Sequence, residues 1–155
     1  MTLSTIATTH AQHYTPEQQA LAEHLIALER EALDLWFQGQ TSGYRKLWSQ
    51  KNFSYCDGAQ LHRIDEHGQI CEFLDTIEGK LFADSYEFVN PRIQFGQDMA
   101  LLTYELYADT TLIDMKYNCI ELFQKEEDGV WRVIHSTWSF IRPMDMDFSK
   151  IVQAV

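Results

Sequence analysis

Two carboxylates in this chain sit where either chemistry or structure must account for them. Glu121 lies inside NCIELF, among Ile120, Leu122 and Phe123, and a glutamate in so apolar a run is rarely buried without a partner. A salt bridge to Arg92, Arg132 or Lys116 would supply one; a function that needs an acid in an apolar place is the other account. Asp57 closes SYCDG, and Asp-Gly is a common turn pair. When two carboxyls share an apolar pocket, each disfavours ionisation of the other and their titrations separate, as paired acid and base roles require. His135 reads as a hydrogen-bonded core or interface histidine, or as a base. His62 and Arg63 are either an exposed basic pair or a hold for an anionic group.

Other chemistries lack their residues. There is no HExxH, no paired CxxC and no arrangement of two histidines and a carboxylate that would single out a metal, so neither a metal nor a cofactor is expected. GxSxG, GxGxxG and GxxxxGK are absent. Cys56, Cys71 and Cys119 are odd in number, widely spaced and without an activating neighbour that the sequence identifies; they read as reduced, buried thiols.

Twelve Lys plus Arg against 23 Asp plus Glu give a formal charge of −11, which repels phosphate backbones and anionic lipid. Nucleic acid and membrane are therefore not expected as partners. No basic, apolar leader opens the chain, so a cytoplasmic protein is expected. With 9 Phe, 7 Tyr and 4 Trp in 155 residues, aromatics exceed what a small core needs, and the surplus should line a pocket or an interface.

These residues must be carried by elements that the patterning defines. Residues 1–14 show no sustained period and read as a flexible arm. Thr15, Pro16 and Gln18 form a capping-box start, and Leu21, Leu25, Leu28, Ala32, Leu35 and Trp36 continue as one amphipathic helix to Gly39. A short helix over 44–48 follows. NFSYCDG and QLHRI read as two short strands around the Asp-Gly turn, and GQICEFLDTIEG returns to helical spacing. SYEFVNPRIQF is interrupted at Asn90-Pro91, where the missing N–H forces a bulge or an edge. Turns at Gly96-Gln97-Asp98, Asp109-Thr110-Thr111 and Glu126-Glu127-Asp128-Gly129 make the last four strands an antiparallel meander. Helices first and strands last is an α+β arrangement, with a domain over 15–143 and a tail over 144–155.

The last strand, WRVIHSTWSF, is apolar on both alternating faces. Helices of the same chain cover one; the other is expected to meet a second copy in a homodimer through the sheet face. Alternation sorts the strand residues. If Glu121 faces a pocket, so do Tyr117 and Cys119; Thr103, Glu105 and Tyr107 form the more polar parity of the neighbouring strand and are expected there too, with Ile134, Ser136 and Trp138. Tyr55 and Phe73 are expected as further lining. Trp131, Val133 and His135 then face the subunit interface.

The element order resembles the nuclear-transport-factor-2-like superfamily, over residues 17–143. KLWSQKNFSYCDG resembles the short helix and acid-ended strand of SnoaL-like and ketosteroid isomerase-like domains. DGVWRVIHSTWS resembles the last strand of SnoaL-like domains and of the calcium/calmodulin-dependent kinase II association domain. The resemblance implies a cone-shaped, curved antiparallel sheet wrapped around the N-terminal helices. It implies Asp57 as a general base and Glu121 as a protonated acid donating to an oxyanion. The tyrosine those isomerases carry on their first helix has no counterpart in EREALDLW. The expected function is binding of a small apolar or carboxylate-bearing organic molecule in an acid-containing cavity, with cofactor-independent isomerase, cyclase or dehydratase chemistry. The alternative is a non-catalytic dimerisation or ligand-sensing module.

Overall fold

The computed structural model describes residues 3–5 and 13–141; most of the expected N-terminal arm, residues 1–14, and all that follows Ile141, including the expected tail, lie outside the described residues. The order is β1 (Leu3–Thr5), α1 (Pro16–Trp36), α2 (Ser42–Leu47), β2 (Ser54–Asp57), α3 (His67–Ile77), β3 (Glu87–Gly96), β4 (Met99–Asp109), β5 (Asp114–Lys125) and β6 (Trp131–Phe140). None of the described helices is long and apolar enough to cross a membrane.

α1 begins as its sequence dictates. Thr15 Oγ1 accepts the Gln18 N–H at 3.1 Å, and Gln18 Oε1 accepts the Thr15 N–H at 3.0 Å. This satisfies two backbone donors that a helix start leaves open. Its buried stripe is Ala22, Leu25, Glu29, Ala32, Leu33 and Trp36, so a carboxylate occupies one of the inward positions. α2 lies so close across α1 that a Cβ on Gly43 would come within 2.9 Å of Ala32 Cα.

The sheet runs β1-β3-β4-β5-β6-β2. β3 to β6 form the antiparallel meander, while β1 and β2 join its two edges in parallel, so the sheet is mixed. The expected β2 hairpin shrinks to one bridge, with Tyr55 and Ile64 exchanging backbone bonds at 2.8 and 2.9 Å. The Asn90-Pro91 interruption is a bulge: register shifts between Val89 and Arg92, and Asn90 takes a φ of 53°.

A second bulge explains the last strand. Leu122 pairs with His135 but Phe123 pairs with Val133, leaving Ile134 unpaired. Inward residues are therefore Trp131 and Val133 before the bulge and Ser136 and Trp138 after it. The apolar appearance of both faces comes from this change of parity. Val133 is fully buried in its own chain, which corrects its expected place at an interface; Trp131 packs against the same core.

The curved sheet wraps α1, and the space between them is filled by rings. Trp36 stacks on Trp138 at 6.3 Å, Tyr44 meets both edge-on at 5.4 and 5.7 Å, and Trp48 stacks on Phe53 at 4.8 Å. Burying such side chains stabilises the fold by about 2 kcal/mol each.

Candidate functional site

The inner wall holds two acids. Glu29 on α1 and Glu121 on β5 are each 0% exposed. Tyr44 Oη from α2 and Tyr104 Oη from β4 donate to Glu29 Oε1, at 2.9 and 2.5 Å. Ser136 Oγ from β6 donates to Glu121 Oε1, and Trp48 Nε1 reaches Glu121 Oε2 at 3.4 Å. Neither carboxyl has a cation among the described residues. Arg132, one expected partner, is bound instead to Glu126 at 2.8 Å and Asp128 at 3.0 Å.

Without a cation, burial decides the protonation. It pushes Glu29 up to about 7, against the pull of the Tyr104 and Tyr44 hydroxyls. It pushes Glu121 well above the carboxylate range, helped by repulsion from Glu29 and opposed by Ser136 and Trp48. Burial therefore favours the uncharged acid of Glu121, the form that can donate. Glu29 Oε2 and Trp36 Nε1 are buried without a hydrogen-bond partner among the described residues.

Asp57 lies at the end of β2, away from this pair. Its Oδ1 accepts the Ala59 and Gln60 N–H groups at 2.8 and 2.9 Å, the turn expected of Asp-Gly. Its Oδ2 accepts Tyr55 Oη at 2.6 Å. A cleft of about 310 Å³ opens here, lined by Asp57, Gly58, Trp138 and Phe140 among others. Phe140 lies over Gly58 so closely that a Cβ there would be 2.1 Å from its ring. Trp138 links the two acids' surroundings: it lines the cleft, and its Nε1 donates at 2.7 Å to Ser136 Oγ, which donates to Glu121.

The other expected residues divide. Tyr55, Tyr117, Cys119, Ser136 and Trp138 share the inner face with Glu121, and Phe73 is 6.5 Å from the Tyr55 ring. Burial and Asp57 push Tyr117 up to about 12. Thr103, Glu105 and Tyr107 are on the outer face, a correction. Glu121 pairs with Leu102 and Cys119 with Tyr104, so the odd residues of β5 face the even residues of β4. Ile134 is the unpaired bulge residue. His135 is outside, within 2.6 Å of both Ser54 Oγ and Thr137 Oγ1, and burial lowers its pKa. Arg63 pairs with Asp65, and both are exposed.

Sequence reasoning passed over Glu29, Tyr44, Trp48 and Tyr104. Glu29 had a signal: it stands four residues after Leu25 and three before Ala32, inside the apolar stripe. No tyrosine sits on the first helix, but Tyr44 and Tyr104 bring hydroxyls to the same interior from two other elements.

A curved, unclosed sheet wrapped on an N-terminal helix, with acids on its inner wall, is the α+β cone. Many solved structures match it, among them the following three. A protein from Parabacteroides distasonis assigned as a ketosteroid isomerase aligns at a TM-score of 0.71 and 24% identity, over 86% of this chain and 97% of its own. An NTF2-like protein of unknown function from Pseudomonas putida aligns at 0.69 and 13%, over 82% and 91%. The calcium/calmodulin-dependent kinase II hub of S. rosetta aligns at 0.61 and 16%, over 84% and 100%. No family model and no curated protein matches the chain. The fold of this protein is the nuclear-transport-factor-2-like fold.

Proposed function

We propose that this protein binds a small organic molecule, apolar or bearing a carboxylate, at the β2–β6 end of the cone. Asp57 is the general base at the mouth, and Glu121 the neutral acid behind Trp138. The observation that carries this reading is the bonded path from Trp138 in the mouth cleft through Ser136 to Glu121. In this reading the ligand enters beside Asp57 and displaces the Trp138 and Phe140 rings inward of the cleft. Asp57 takes a proton from carbon, and Glu121 donates a hydrogen bond to the oxygen where negative charge develops, giving isomerase, cyclase or dehydratase chemistry without a cofactor. The unpartnered Glu29 Oε2 and Trp36 Nε1 support a ligand with a polar end.

The working unit is a homodimer in this proposal, formed through the outer sheet face, where Leu101, Ile120, Leu122 and Ile134 are incompletely buried. The free thiols of Cys56, Cys71 and Cys119 support a reducing, cytoplasmic setting. The second reading is a non-catalytic dimerisation or ligand-sensing module, favoured by the complete burial of both acids under the protein's own rings.

A thermal-shift titration with steroids, aromatic polyketides, terpenoids and short carboxylic acids separates the two. Binding at a hundred times the dissociation constant should stabilise the native state by about 2.7 kcal/mol. A ligand so found defines the assay in which Asp57→Asn should abolish turnover while leaving binding and fold. Full turnover in that variant would remove Asp57 as base; no stabilisation by any class, in folded dimer, favours the module.

A further inference from the structure

Remote from the interior acids, α2, α3 and the β5–β6 turn border an open cleft of about 570 Å³. His67 and Cys71 both line it, four residues apart on α3 and so on one helix face. His67 Nε2 is 3.0 Å from the Arg45 carbonyl oxygen. A carbonyl only accepts, so Nε2 carries the proton and Nδ1 is the bare nitrogen. Cys71 Sγ lies 3.5 Å from that Nδ1. A thiol facing an unprotonated imidazole nitrogen, with the imidazole held from its far side, is the arrangement that activates a sulfur nucleophile.

The walls add charge. Arg45, Lys46, Lys51 and Arg132 line the cleft against Glu126 and Asp128, an excess of two positive charges on a chain of formal charge −11. Arg45 is paired with Asp75, and Arg132 with Glu126 and Asp128. No carboxylate among the described residues pairs with Lys46 or Lys51. Both lysines are thus free to draw an anion into the cleft. The other thiols differ: Cys119 is buried, and half-buried Cys56 has no imidazole bonded to it among the described residues.

We propose that Cys71 is a nucleophilic thiol, activated by His67, that exchanges with small anionic disulfides drawn in by Lys46 and Lys51. The Cys71 proton passes to His67 Nδ1. Sγ attacks one sulfur of the disulfide and forms a new S–S bond, while the old S–S bond breaks and its electron pair leaves on the second sulfur. The imidazolium returns the proton to that thiolate. Cys71 is oxidised and the departing sulfur reduced, with no further reactant. The result is a reversible mixed disulfide on α3.

The test treats the intact chain with the dianion dithiobis-nitrobenzoate and, separately, with the dication cystamine. Labelled cysteines are mapped by mass spectrometry, and each rate is divided by that of a free thiol with the same reagent. Cys71 should react first, and His67→Gln should slow it about tenfold or more while leaving Cys56 unchanged. The normalised rate should favour the dianion about tenfold at low salt, and the preference should fall with added salt and in the Lys46→Gln, Lys51→Gln double variant. An unchanged Cys71 rate in folded His67→Gln, or a dication that reacts as fast as the dianion, overturns the proposal. If His67→Gln does not fold, the dianion-to-dication ratio in the natural chain decides alone.

Discussion

Glu121 and Asp128 lie on one β-hairpin, seven residues apart in sequence, and their environments treat the same functional group in opposite ways. Asp128, at the exposed turn, is held below the usual carboxylate range by the Val130 N–H and the Arg132 guanidinium. Glu121 has two uncharged donors, and burial drives it up. Position on the sheet separates them: the inward side of β5 excludes water and, among the described residues, offers no cation, and the turn offers both. An acid on such a surface is an ordinary ion-pair partner. On the inner wall burial favours its protonated form, which can donate.

The contrast breaks most visibly if a cation is placed on each side. Glu121→Lys buries an ammonium among Trp48, Ser136 and Leu102, where desolvation disfavours any charge, and should destabilise by about 4 kcal/mol, measured by urea unfolding. Asp128→Lys should leave the midpoint nearly unmoved. A small effect at Glu121 would show that water reaches the inner wall, and would favour an open pocket over a packed core.

The next effect is a pH dependence of the wrong sign for surface carboxylates. Glu29 titrates near 4.5 when unfolded and near 7 when folded. Between those values the folded protein binds more protons than the unfolded chain, so raising the pH favours unfolding. Its stabilisation is complete below pH 4.5 and is lost as the pH passes through 7, a change of about 3 kcal/mol. Glu121, shifted the same way, acts in the same direction. Urea midpoints should fall from pH 5 to pH 8, and Glu29→Gln, which keeps an acceptor for the two tyrosines, should flatten that fall. A midpoint that rises over this range would contradict the protonated interior.

Most of the architecture was legible because it is local. The Thr15 capping box, the Asn90-Pro91 bulge and the three hairpin turns each rest on a few adjacent residues, and the structure has all of them. The edges were not, since parallel joining of β1 and β2 depends on distant partners. The inner face was half legible. Assigning Thr103, Glu105 and Tyr107 to the side of Glu121 ranked polarity above register, and register decides: one step in pairing reverses a strand. The β6 bulge had no sequence signal, because Ile134 is as good a strand residue as its neighbours. Glu29 was hidden by its type, since a stripe scanned for apolar residues skips the acid within it. His67 and Cys71 show helical spacing in the sequence, but only the fold adds the Arg45 carbonyl and the basic walls.

A finer test asks how the mouth cleft communicates with the inner acid. Ser136 is fully buried, accepts from Trp138 and donates to Glu121. Ser136→Ala leaves the indole N–H without its acceptor and removes one of the two donors to Glu121, and should lower stability by about 1 to 3 kcal/mol. Losing a donor that favours the charged form should also raise the Glu121 titration further, extending the fall in stability to higher pH. Ser136→Cys, close in shape but weaker in hydrogen bonding, should lie between.

The smallest effect belongs to the ion pairs at the turn. Arg132→Gln breaks contacts to Glu126 and Asp128 that are open to solvent on the Asp128 side, and exposed pairs contribute little once salt screens them. Its midpoint should sit just below that of the natural chain at low salt and merge with it at high salt, whereas the Ser136→Ala deficit, lying in the dry interior, should persist. If the two variants responded to salt alike, the inner wall would be as solvated as the turn, and the separation between Glu121 and Asp128 would come from their hydrogen-bond partners alone rather than from burial.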